Sequence, residues 1–276
     1  MKQNHYKPQQ KIFVLLFLLF SSCEEVIDLD LETALPQLMV EGNITDGAGP
    51  YLVKLSKTGA YFGNQNYEQV RDATVVLTDN TGQQKETLAE ISPGNYQTST
   101  LQGVAGRTYI LTITTAGKTY TAQSTMPYPV PLDSLGLEYV ESGFDEDAAG
   151  NTKGYEVKAH FQDPLGIKNY YRFKLYLNNE YKYKEIYLQD DDLSDGKKIA
   201  YELEANYAQV GQRVRVEMLG IDKATYNYYN TLSNIIGGDN GFIDAVPDNP
   251  KSNLSNGALG YFAAYSINHN ERMVAE

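Results

Sequence analysis

The chain has 276 residues, 35 acidic against 23 basic side chains and a net charge of −12 at neutral pH, with one cysteine, no tryptophan and 23 tyrosines. This balance gives no electrostatic basis for binding nucleic acid, and a lone cysteine forbids an internal disulfide, so packing alone must stabilise the fold. The length accommodates two domains of ordinary size, each with its own core.

Residues 1–22 read as a lipoprotein signal peptide. Lys2, Lys7 and Lys11 form a positive leader, the run from Ile12 to Phe20 is apolar throughout, and the small residues Ser21 and Ser22 precede Cys23. The apolar run spans about 14 Å as a helix, roughly half a bilayer core, which is too short for a permanent span. Leu-Phe-Ser-Ser-Cys resembles the lipobox of bacterial lipoproteins, in which the thiol is joined to diacylglycerol and the cysteine becomes the first mature residue. Phe20 stands where that motif usually has an aliphatic side chain. Cys23 is therefore the expected lipidation site, and two or more acyl chains such as palmitate hold a protein stably to a bilayer. An ordinary secreted protein would leave the lone cysteine of an exported chain without a purpose. Cleavage before Cys23 removes three lysines and no acid. The mature chain is thus more acidic still, is repelled by anionic lipid, and depends on the acyl anchor for its hold on a membrane.

Residues 23–36 form an acidic tether, with Glu24, Glu25, Asp28 and Asp30 interleaved with Val26, Ile27, Leu29 and Leu31. Acids directly behind a lipidated cysteine resemble the export signal that carries Bacteroidota lipoproteins to the cell surface. Glu24 and Glu25 take that role here; the plainer alternative is a spacer kept extended by its own repulsion.

Residues 37–126 alternate with period two between turn signals, which predicts an antiparallel Ig-like or prealbumin-like β-sandwich. Leu38, Val40 and Ile44 share one face, as do Tyr51, Val53 and Leu55, and again Tyr109, Leu111 and Ile113. "ATVVLTD" runs into a turn over residues 79–82. Gly106-Arg107-Thr108-Tyr109 has the form of a tyrosine corner, with a structural role for Tyr109. Residues 127–132 hold Pro127, Pro129 and Pro131, which fix φ and remove three amide donors, and form the expected linker.

Residues 133–270 form a second β-rich domain with longer, more aromatic strands and one helix, and residues 271–276 a tail. In "RVRVEML", Val214, Val216 and Met218 should be buried and Arg213 and Arg215 wet. In "GIDKATYNYYNTLSNIIGG", Asp222 caps the helix and Gly237 ends it, while Tyr226, Tyr229, Leu232, Ser233 and Ile236 form a stripe that packs on the sheet. Residues 237–257 read as a long loop. The many tyrosines suit half-wet strand faces; the sharper reading is a tyrosine-lined surface for a glycan or peptide.

Catalytic chemistry finds little support. His5 lies in the leader, which leaves His160 and His269, with no Gly-x-Ser-x-Gly elbow and no phosphate-binding glycine loop. Asp145, Asp147, Gly150 and Glu156 fall at EF-hand offsets, but Ala149 occupies a ligand position and strands flank the loop, so calcium binding there should be weak or absent. Asp190, Asp191, Asp192 and Asp195 read as a turn with solvated acids. No metal, cofactor or catalytic residue is expected.

The stretches "CEEVIDLDL", "LMVEGNIT", "GRTYILTI", "FQDPLGIKNYYRFKLYL", "LSDGKKI", "YNYYNTLSNI" and "NPKSNLSNGALGYFAAYS", in this order, resemble uncharacterised Bacteroidota envelope lipoproteins often encoded beside TonB-dependent outer-membrane receptors. The resemblance spans nearly the whole mature chain, and its first half is similar to the Ig-like domain of carboxypeptidase regulatory regions. It implies an envelope lipoprotein that is an accessory to a nutrient transporter, and it supplies no catalytic residues. With the scarce histidines and the acids behind Cys23, the expectation is a non-enzymatic, surface-exposed outer-membrane lipoprotein, an accessory or binding component of a TonB-dependent nutrient uptake system. Its partners would be the bilayer, through Cys23, and a TonB-dependent receptor; a structural or adhesive surface module is the alternative.

Overall fold

The computed structural model describes residues 36–59, 67–141, 147, 150–183, 185–237 and 249–275. Cys23, Glu24 and Glu25 lie outside them, as do Asp145 and Ala149.

The first half folds into β1 (Leu38–Thr45), β2 (Leu52–Lys57), β3 (Thr74–Asp79), β4 (Lys85–Thr87), β5 (Ala89–Ser92), β6 (Asn95–Gln97), β7 (Thr108–Thr115) and β8 (Lys118–Thr125). The sets read from period-two alternation are all buried: Leu38, Val40 and Ile44; Tyr51, Val53 and Leu55; Tyr109, Leu111 and Ile113. They close one hydrophobic cluster between the sheet β4-β3-β7-β8 and the strands β1, β2 and β6. The tyrosine corner is present, since the Tyr109 hydroxyl accepts the Val104 amide proton at 2.7 Å.

The second half holds β9 (Leu132–Glu141), β10 (Lys153–Gln162), β11 (Tyr170–Leu177), β12 (Glu180–Tyr181), β13 (Tyr187–Asp190), β14 (Lys198–Ala208), β15 (Arg213–Gly220), α1 (Lys223–Gly237) and β16 (Leu259–Met273). A second cluster forms where the sheet β14-β10-β9 covers Tyr171, Phe173 and Leu175 of β11 and Val214, Val216 and Met218 of β15. The fold is all-β, an Ig-like sandwich followed by a β-rich half carrying one helix among the described residues.

Residues 127–131 join no ladder. The chain leaves the first cluster at Met126 and enters the second at Val130, both buried. One element crosses this division. The first seven residues of β16 pair in parallel with β1, from Leu259 opposite Met39 to Tyr265 opposite Thr45. The remainder pairs antiparallel with β15, from Ser266 opposite Gly220 to Met273 opposite Arg213. One sheet therefore runs β12-β11-β15-β16-β1-β2-β6-β5, with β13 beside β11. Its small-sheet face covers both clusters. The strand continues past residue 270, and Val274 is buried, with its amide bonded to the Gln212 carbonyl.

Part of the long loop is tied down. Ser255 exchanges backbone and side-chain bonds with Thr121, and Asn256 Nδ2 donates to the Thr119 carbonyl at 2.6 Å. These bonds cover the outer edge of β8, which would otherwise present unpaired strand groups.

Candidate functional site

Alternation along β11 sorts its residues. Tyr171, Phe173, Leu175 and Leu177 enter the second cluster, so Tyr170, Arg172, Lys174 and Tyr176 face the other side of the sheet, where α1 lies. Asp222 fixes the start of that helix. Its Oδ1 accepts the Thr225 amide proton at 2.8 Å and the Thr225 hydroxyl proton at 2.7 Å. Its Oδ2 accepts the Ser124 hydroxyl at 2.7 Å and the Thr125 amide at 3.0 Å, which anchors the helix to β8.

The helix presents its tyrosines to the sheet. Tyr226 packs against Tyr170 in a tilted contact with ring centroids 5.1 Å apart, and Tyr228 against Tyr261 likewise at 4.7 Å. The Arg172 guanidinium lies over the Tyr229 ring at 3.8 Å. Ile236, expected in this stripe, stands exposed; Tyr228 makes the sheet contact the stripe omitted.

Beside the helix is a groove of about 520 Å³ floored by Arg172, Lys174, Tyr261 and Tyr265, walled by Tyr181 and Tyr229, with Glu41 and Lys54 at its β1–β2 end. Lys174 lies between the rings of Tyr181 and Tyr265, at 5.9 and 6.0 Å. Burial first, and then the neighbouring Arg172 charge, lower its affinity for its proton, against a partial counter-effect from Glu217. Glu217 is its direct cross-strand partner. That carboxylate is already engaged by the Tyr176 hydroxyl at 3.0 Å and Arg215 at 2.9 Å.

Of the four acids read as a solvated turn, Asp192 and Asp195 are exposed, but Asp191 is buried and meets Asp163 from another element. Asp163 is 1% exposed and Asp191 2%, and one oxygen each from Asp163, Asp191 and Asp195 lie within 4.8 Å of one another. Asp163 comes from the end of β10, which no spacing within "DDDLSDG" reveals. Tyr171 donates to Asp163 at 2.6 Å and the Gly196 amide at 3.1 Å. The Asn169 amide donates to Asp191 at 2.8 Å and the Gly166 amide to Asp195 at 2.7 Å. Lys168 pairs with Asp191 and Asp192. The acids hold two loops together, and hydrogen bonds to Asp191 and Asp192 raise the Lys168 pKa.

In the EF-hand-like stretch, Asp147 accepts the Asn151 and Tyr207 amides at 2.8 Å each, and Glu156 lies within β10, paired opposite Glu138. His160 sits on β10 opposite Ser134, and His269 on β16 opposite Glu217, in different sheets. The sequence reading did not single out Arg172, Lys174, Tyr181, Tyr261 or Tyr265. The available signal was "NYYRFKLYL", where two cations occupy alternate positions of a strand whose other face is wholly apolar.

The family model for a domain of unknown function, DUF4249, matches residues 24–271. The chain belongs to the DUF4249 family. Among proteins of curated function none matches this DUF4249 chain. In the solved two-domain fibronectin type III segment of chicken tenascin, 91% of that chain aligns with 68% of this one at 11% identity and a TM-score of 0.21, and at that score the likeness carries no argument.

Proposed function

We propose that this DUF4249 protein is a non-enzymatic outer-membrane lipoprotein, exposed at the cell surface and anchored through Cys23, that serves as a binding component of a TonB-dependent nutrient uptake system. The observation that carries this reading is the placement of the only cysteine. It stands directly behind an apolar run and two serines and directly before Glu24 and Glu25. The groove beside α1 supports a binding role over a purely adhesive one, because it gathers three cations, Arg172, Lys174 and Lys54, against one acid, with several aromatic rings, in a chain otherwise dominated by acids.

The anchor and the export signal separate in one experiment. Cys23→Ser should move the protein from the membrane to the soluble fraction. Replacing Glu24 and Glu25 together with Ala should leave it in the membrane but protect it from protease added to intact cells. Shaving of the double variant as fast as the parent would reduce the acids to a spacer, and a Cys23→Ser protein that stays with the membrane would remove the anchor.

A further inference from the structure

Arg172 and Lys174 are two positions apart on one strand face, roughly 6–7 Å between their Cα atoms. Neither makes an ion pair among the described residues, although acids outnumber bases in the chain by 35 to 23. The Arg172 Nε proton is buried without an acceptor, and its Nη2 reaches the Tyr181 hydroxyl only at 3.5 Å. Ring contacts stabilise each cation by about 0.5–2 kcal/mol but supply no hydrogen-bond acceptor. Buried charges are ordinarily paired, and a buried donor without an acceptor destabilises the fold. Retaining two such cations side by side implies an acceptor that the described residues do not provide.

We propose that the groove beside α1 binds a small organic carboxylate, with its anionic end on Arg172 and Lys174 and its body against the rings of Tyr181, Tyr229 and Tyr265. The volume falls within the range of small-molecule sites. A planar guanidinium matches a carboxylate through its paired Nη edge, and at Arg172 that edge is engaged only by the long Tyr181 contact. Phosphate is the weaker fit. Phosphate sites commonly add a helix start or a run of backbone amides to their cations, and the start of α1 is already occupied by the Asp222 carboxylate.

This inference rests on reading the chain as a binding component, but its test is independent of the anchor. The detergent-solubilised lipoprotein is titrated at constant ionic strength with benzoate, glucuronate, the uncharged benzamide and inorganic phosphate, followed by calorimetry. At least one of the two carboxylates should saturate below about 10 mM, and benzamide should not. Lys174→Met and Arg172→Gln should each weaken that binding by about tenfold or more. Lys158→Met removes a cation already paired with Glu138 and Glu202 and should leave it unchanged. Should Arg172→Gln fail to fold, Lys174→Met decides. Saturation by neither carboxylate, equal binding of benzamide, phosphate binding as tightly as the carboxylates, or indifference to Lys174→Met would each overturn the assignment. A receptor-associated lipoprotein that binds no carboxylate would lose this inference and keep its proposed function.

Discussion

Asp79 shows how single side chains hold the first half together. It ends β3 in a buried position and accepts the Thr81 hydroxyl at 2.7 Å, the Gln84 amide at 3.2 Å and Arg107 at 2.5 Å. Burial opposes its charge, but the hydrogen bonds from Thr81, Gln84 and Arg107 outweigh it and hold the carboxyl below its ordinary value. A depressed folded-state pKa stabilises the protein above the unfolded-state value, near 4, and that stabilisation is lost as pH falls through the folded value. Asp79→Asn should therefore cost about 2 kcal/mol at pH 7 and a smaller amount below pH 4, measured by urea unfolding across pH. An equal cost at both pH values would show that the charge contributes nothing. Glu86 acts similarly, accepting the amides of Ser99 at 2.5 Å and Leu101 at 2.7 Å to fasten the loop after β6. Turn chemistry was legible around Asp79, because "TDNTG" follows an alternating strand. The partnership with Arg107 was not, since nothing local links positions 28 residues apart.

Among elements, β16 joins the two clusters. Phe262 and Ala264 belong to the first, while Ser266 to Met273 pair with the strand that roofs the second. Its parallel entry beside β1 needs Gly260, which has a φ of +85°; a Cβ there would stand 2.0 Å from the Val40 carbonyl oxygen. Gly117 also has a positive φ, of +73°, but open space around it. Gly260→Ala should cost about 2–4 kcal/mol, and Gly117→Ala only about 1 kcal/mol, in thermal unfolding. Equal costs would mean that the β1–β16 contact yields without loss. The period-two pattern disclosed that Val214, Val216 and Met218 face inward. It carries no information about which strand lies alongside, so the double pairing of β16 was invisible. The helix was read with its cap because Asp222 bonds locally. The cations of the groove were missed because their significance depends on which face of β11 the helix covers, a property of tertiary packing.

For the whole molecule, charge, anchor and groove point the same way. A chain with an excess of acids has no affinity of its own for an anionic membrane, so under the proposed function a lipid on Cys23 would supply the hold and Glu24 and Glu25 the address. The covered β8 edge limits strand-to-strand association there, and the groove beside α1 holds Arg172 with a buried donor that meets no acceptor among the described residues. The proposed function turns on what this protein accompanies at the cell surface. Cross-linking on intact cells, followed by solubilisation, isolation of the lipoprotein and mass spectrometry, should recover a TonB-dependent outer-membrane receptor in near-stoichiometric amount, and should recover none when Cys23→Ser releases the protein. Recovery of the wild-type lipoprotein without any such receptor would contradict the proposed function.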